Sequence, residues 1–174
     1  MGDCVSRFGK KSAVELAMVG LDGSGKTTIL YNLKKKDFWN VKRTVGYNLE
    51  NIRVRNTTFN LWDIGGVKNI RPLWRYHFIG KHGVIFVIDS SDVRRLDEAI
   101  TELWNITKDP VAKNVRILVL ANKQDKSGAI KPDDIKEKLT KENTFKNIEW
   151  EVMPASALAG HGLKKALLWF RPQT

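Results

Sequence analysis

Residues 14–28 read Val-Glu-Leu-Ala-Met-Val-Gly-Leu-Asp-Gly-Ser-Gly-Lys-Thr-Thr. Val14–Val19 is a short apolar run of strand length, and Gly20 through Thr27 match the pattern GxxxxGK[ST] in full. Apolar strand, glycine loop and helix start are the context that gives this pattern meaning. The glycines let the backbone wrap so that successive N–H groups converge on phosphate oxygens, helped by the positive end of the helix dipole. Gly20 through Thr27 are therefore read as a phosphate-binding loop. Lys26 neutralises the β- and γ-phosphates, and the Thr27 hydroxyl ligates Mg²⁺.

Outward from this loop, short β-like runs alternate with helical patterns. The strands are expected at Val14–Val19, Leu49–Arg55, Thr58–Asp63, Val84–Asp89, Arg116–Ala121 and Trp150–Met153. Val84–Ile88 and Ile117–Leu120 are apolar throughout, as in parallel strands covered on both faces. Asn56-Thr57, between two alternating runs, reads as a hairpin turn, which makes that pair antiparallel. Val93, Leu96, Ile100, Leu103 and Trp104 recur at helical spacing after Ser90-Ser91-Asp92, a capping cluster. Pro132 opens a further helix with Ile135 and Leu139 on one face, and Leu163, Ala166, Leu167 and Phe170 make the last helix amphipathic. Strands interleaved with helices give a three-layer α/β fold around a mostly parallel sheet, with ligand at the carboxyl ends of the strands.

A nucleoside triphosphate site needs a base reader. Asn122-Lys123-Gln124-Asp125 follows the apolar run ending at Ala121. An aspartate there accepts from both the ring N–H and the exocyclic amine of guanine, whereas adenine leaves it unpaired. Asp63, in Trp62-Asp63-Ile64-Gly65-Gly66, ends a strand as a water-mediated Mg²⁺ ligand should, and the Gly66 N–H is placed to meet a γ-phosphate. Thr44 lies in the loop where a hydroxyl completes the Mg²⁺ shell. Ser156, Ala157 and Leu158, after the last strand, offer a backbone N–H to the guanine carbonyl.

The chain has 174 residues, one domain's worth, with 42% hydrophobic and 28% charged residues. Its single cysteine, Cys4, excludes a disulfide within the chain and fits a reducing compartment. No apolar run approaches a membrane span, and no secretory signal opens the sequence. Lys and Arg number 30 against 19 Asp and Glu, a net charge of +11 that favours an acidic partner. The basic residues are scattered without an RNA-recognition or zinc-finger pattern, so no nucleic-acid partner is expected. His77, His82 and His161 have no metal-ligand spacing.

GLDGSGKTT, TVGYN, WDIGG with IRPLW, NKQD and ASAL together resemble the ADP-ribosylation factor (Arf and Arf-like) family of small GTP-binding proteins, from about Val14 to Phe170. The resemblance implies a P-loop small-GTPase fold with a six-stranded, mostly parallel sheet, one antiparallel hairpin and helices on both faces. It implies a GTP/GDP switch that recruits effectors to membranes in vesicle or protein trafficking, served by an exchange factor and a GAP, and monomeric. It implies guanine contacts from Asn122, Lys123, Asp125 and Ala157, phosphate contacts from Asp22, Gly23, Ser24, Gly25, Lys26, Thr27 and Thr28, and Mg²⁺ at Thr27 and Thr44. Lys26, Thr44 and Gly66 would serve hydrolysis, but Val67 stands where the family has the Gln that orients water. Hydrolysis is therefore expected to be weak; the alternative is a persistently GTP-bound membrane scaffold. Arg43 replaces the usual proline before Thr44, and the aromatic effector triad falls on Tyr47, Trp62 and His77.

Met1-Gly2-Asp3-Cys4-Val5-Ser6 matches the pattern for myristoylation of Gly2. One such chain binds membranes only marginally, so Cys4 as a palmitate site, or Arg7, Lys10 and Lys11 against anionic lipid, would supply the second anchor. Residues 1–12 are thus expected to form a lipid-modified segment and residues 13–174 the GTP-binding domain. The expected location is cytoplasmic and peripheral to a membrane: Golgi, other endomembrane or plasma membrane.

Overall fold

The structure is a computed structural model and describes residues 13–37 and 44–172. Gly2, Cys4 and Arg43 lie outside the described residues. Six strands form one sheet: β1 (Val14–Val19), β2 (Tyr47–Val54), β3 (Thr57–Ile64), β4 (Gly83–Asp89), β5 (Arg116–Asn122) and β6 (Trp150–Pro154). Their order is β2-β3-β1-β4-β5-β6. Only β2 and β3 are antiparallel; the other neighbours run parallel. Helices α1 (Lys26–Leu33), α2 (Leu96–Lys108), α3 (Pro132–Thr140) and α4 (Leu163–Trp169) complete the layers.

Period-two alternation explains how one continuous apolar strand serves two cores. Val84, Phe86 and Ile88 of β4 join Ile117 and Val119 of β5 against Ile100 and Leu103 of α2 and Ile135 of α3. Ile85 and Val87 join Leu118 and Leu120 on the opposite face, against Ile29 and Leu30 of α1 and Leu163 and Leu167 of α4. β1 sits between β3 and β4, so its carboxyl end opens where the strand order reverses. A crevice forms there, and the 20–27 loop lines it.

The hairpin turn differs by one residue from the sequence expectation. Val54 pairs with Thr57, so Arg55 and Asn56 make the turn, and Arg55 takes φ 54°. β-branched Thr57 is better placed in a strand than in a tight turn. Val93 is also corrected. It lies on a 3-10 turn, Val93–Arg95, before α2 and is 61% exposed rather than on the core face. The expected cap is absent too. Asp92 makes no side-chain cap bond; instead Asp89 accepts from the backbone N–H and the hydroxyl of Ser91.

β2 is one of the two outer strands. Lys34 Nζ, from the end of α1, donates to the Asn51 carbonyl at 3.1 Å. Lys34 and Lys36 pair with Glu50 at 3.4 and 2.5 Å. No described helix is long and apolar enough to cross a membrane.

Candidate nucleotide site

Gly25 caps α1 in the left-handed region at φ 98°, and α1 begins with Lys26. Lys26 is 6% exposed. Its ammonium donates to the carbonyls of Gly20 and Leu21 at 2.7 and 2.9 Å and to Ser24 Oγ at 3.4 Å. Burial pulls its pKa down to about 8; the Asp63 and Asp22 carboxylates oppose that pull, while Arg71 and Arg95 add to it. A triphosphate would supply an anion that raises the Lys26 pKa again.

Thr27, Thr44 and Asp63 come from three separate elements and meet at one point. Thr27 Oγ1 donates to Asp63 Oδ2 at 2.7 Å and lies 2.8 Å from Thr44 Oγ1. Thr44 Oγ1 is 3.4 Å from the same carboxylate oxygen. Asp63 is fully buried, and its Oδ1 has no hydrogen-bond partner. An orphaned buried carboxylate oxygen beside two hydroxyls is a donor set of the hard-oxygen kind that Mg²⁺ selects. Asn48 Nδ2 also donates to Asp63 Oδ2, at 3.3 Å. That residue sits inside TVGYN but carried no role in the sequence reading.

The 122–125 and 156–158 loops are bolted to each other and to the 20–27 loop. Asn122 is fully buried; its Nδ2 donates to the Ser24 carbonyl at 2.8 Å and its Oδ1 accepts from the Ala157 N–H at 2.9 Å. The side chain of Asn122 and the N–H of Ala157, both expected at guanine, are thus engaged with each other. Lys123 takes φ 65° and donates to the Gly23 carbonyl at 2.8 Å and to Asp89 Oδ2 at 2.5 Å. Burial pushes the Asp89 carboxyl up, but the bonds from Lys123 and Ser91 outweigh it and hold the group below its usual range. Asp125 is exposed and accepts from Ser156 Oγ at 2.5 Å, and Leu158 is 55% exposed. Thr28 lies half-buried in the first turn of α1.

Gly66 lies directly on the phosphate loop. A Cβ there would come within 2.2 Å of the Gly20 carbonyl oxygen and 2.6 Å of the Asp22 nitrogen. The Gly66 carbonyl accepts from the Asp22 N–H at 3.2 Å. Asp22 Oδ1 in turn takes Arg95 at 3.0 Å, and Arg71 stands 3.6 Å away. Hydrogen bonds from Arg95 and Arg71 hold the Glu98 carboxyl down at about 2. None of Asn48, Arg71, Trp74 and Arg95 was picked out as a site residue from sequence.

Val67 is half-buried and follows this loop. Of the polar residues near it, Asn69 and Tyr76 are exposed. His77 belongs to an aromatic trio. Tyr47 packs 5.1 Å from Trp62 and 5.6 Å from His77, and Lys81 lies 4.3 Å over the Trp62 ring. Burial, with help from Lys81, lowers the His77 pKa.

The sequence profile of the ADP-ribosylation factor family matches residues 2–174. The chain belongs to this family. It is also similar to the solved structure of the Arl6 BBS3 small GTPase from Trypanosoma brucei with bound nucleotide analogue GppNp. The two are 31% identical with a TM-score of 0.81, over 91% of this chain and 95% of that one. The Arf-family chain described here therefore has the small-GTPase fold, with the six-stranded sheet and single antiparallel pair expected from its sequence.

Proposed function

We propose that this protein is a GTP/GDP-binding molecular switch that recruits effectors to membranes in vesicle or protein trafficking, with slow intrinsic hydrolysis of GTP. The observation that carries the reading is the meeting of Thr27, Thr44 and Asp63 beside the phosphate loop, with Asp63 Oδ1 buried and unpartnered. Thr27, Thr44 and, through water, Asp63 would hold Mg²⁺. Bound there, the metal ion neutralises developing phosphate charge. Asp22 to Thr28 cradle the phosphates, Lys26 supplies the fixed counter-charge, and Asp125 reads guanine with Lys123 and the 156–158 loop around it. Gly66 meets the γ-phosphate.

Phosphoryl transfer to water needs a group that accepts from the nucleophile and holds it in line. A valine side chain does neither, so turnover should fall while binding survives. Val67 also favours a second reading, a persistently GTP-bound membrane scaffold whose state is set by exchange and release. Myristate on Gly2, with Cys4 or nearby basic residues as second anchor, would give residues 1–12 the membrane role and residues 13–174 the switch. The tethered chain would then act as a monomer meeting an exchange factor, a GAP and an effector at the Tyr47, Trp62 and His77 face.

Nucleotide analysis of the purified protein with single-turnover GTP hydrolysis tests the reading. GTP or GDP is expected to co-purify, and Asp125→Asn should exchange guanine for xanthine preference. Equal affinity for ATP and GTP, with no change in base preference in Asp125→Asn, would refute the guanine assignment.

A further inference from the structure

Ile70-Arg71-Pro72-Leu73-Trp74 marks the family in the sequence, yet no step of nucleotide binding described above calls on its side chains. Arg71 and Trp74 lie one turn apart at the start of a 3-10 helix, Arg71–His77. They donate to two consecutive carbonyls of the loop before it. Trp74 Nε1 donates to the Gly65 oxygen at 2.9 Å, and Arg71 Nε donates to the Gly66 oxygen at 3.0 Å. Both side chains are buried, with Trp74 2% and Arg71 6% exposed.

A trans peptide sets each N–H antiparallel to the carbonyl it follows. Fixing the Gly65 carbonyl toward Trp74 therefore fixes the Gly66 N–H away from it, and fixing the Gly66 carbonyl fixes the Val67 N–H. Arg71 is itself immobilised from behind. Its Nη1 lies between Glu98 at 2.8 Å and Glu102 at 2.9 Å, residues one turn apart on α2. The Asp22 N–H shares the Gly66 carbonyl from the other side, which ties the same peptide plane to the phosphate loop.

We propose that Arg71 and Trp74 are positioning residues that hold the Gly65, Gly66 and Val67 peptide planes in the orientation that receives a third phosphate, and so set the preference for tri- over diphosphate. The inference rests on the reading of residues 20–27 as a nucleotide phosphate loop. The first two phosphates are met by that loop and Lys26, so only the third depends on residues 65–67. Loss of either side-chain bond should therefore act on one nucleotide and not the other. A merely structural role for the pair would weaken both alike.

The test compares affinities for GDP and a non-hydrolysable GTP analogue, in Mg²⁺, for the whole chain and for Arg71→Lys, Trp74→Phe and Glu102→Gln. Arg71→Lys keeps the charge facing α2 but loses the planar fork. Trp74→Phe keeps an aromatic ring in the core, where the indole packs edge-on at 6.2 Å from Phe86, and deletes only the N–H donor's ring. Arg71→Lys and Trp74→Phe should each lower affinity for the analogue by about tenfold, the scale of one lost charge-assisted or buried hydrogen bond. Affinity for GDP should stay within about threefold, with Glu102→Gln showing the same sign and a smaller size. Thermal melts identify any variant that fails to fold, and the remaining variants then decide. An unchanged ratio, or equal losses for both nucleotides, overturns the proposal. If the wild-type chain prefers adenine nucleotides, the guanine reading fails alone, and the same ratio is then measured with ADP and an ATP analogue. A chain that binds neither class overturns both.

Discussion

Asn122→Ala should be among the most damaging single truncations outside the apolar core. The side chain is fully buried and joins three segments: the end of β5, the phosphate loop at Ser24 and the last loop at Ala157. Truncation strands one carbonyl and one N–H, each costing about 1–3 kcal/mol. A water entering the vacated space would recover part of that, leaving a loss of about 3 kcal/mol. That is a large share of the roughly 5–15 kcal/mol that holds a domain together. In urea, with m of about 2 kcal/mol/M, the midpoint should fall by roughly 1.5 M at constant m. Asn122→Asp should be worse despite its matching shape, because it turns a carboxylate oxygen toward the Ser24 carbonyl and buries a charge. Nucleotide release should accelerate in both variants as the phosphate loop loses its tie to the base loops. A loss below about 1 kcal/mol in Asn122→Ala, or a milder effect for Asp than for Ala, would refute the reasoning.

Lys26 titrates at about 8 in the folded, nucleotide-free protein against an ordinary 10.5, so between these values the unfolded chain holds the extra proton. Nucleotide-free stability should rise with pH across that window, nucleotide affinity should fall above pH 8, and Lys26→Met should flatten both profiles in denaturation and binding titrations. Val67→Gln should raise single-turnover GTP hydrolysis at least about tenfold, or about 1.4 kcal/mol of barrier; a fast wild-type rate would mean another group holds the water. At Gly83 a Cβ would lie 2.1 Å from the Phe170 ring, so Gly83→Ala should cost about 1–3 kcal/mol by overpacking, read from chemical denaturation. Gly2→Ala should release the protein from membranes in fractionated cells, and native protein with no added acyl mass would exclude the lipid.

Local signals carried much of the fold and the heart of the site. Residues 14–28 reveal their strand, loop and helix because each uses a pattern a few residues long, and the doubly covered strands announce themselves by unbroken apolar runs. Errors arose where neighbours in space decide. Val93 fits a helical period, but the chain enters α2 through a 3-10 turn that rotates it outward. Arg71, Trp74 and Arg95 looked like ordinary members of their segments. Their partners, Gly65, Gly66, Asp22 and Glu98, are fixed only when α2 packs beside the phosphate loop. Asn122 falls in the motif that points to guanine, and its bonds to Ser24 and Ala157, distant in sequence, are a further tie that no local pattern reveals.

The outer strand β2 carries a consequence for strand addition. An eight-residue edge of a sheet is a template on which a second extended chain can build, and β2 has that length. Here Lys34 occupies the Asn51 carbonyl in the middle of the edge, and the ammonium groups of Lys34 and Lys36 bracket Glu50 beside it. An incoming strand would have to displace a bonded lysine and desolvate two positive charges before its own ladder closed. The end of α1 therefore makes strand addition at this edge of the sheet costly.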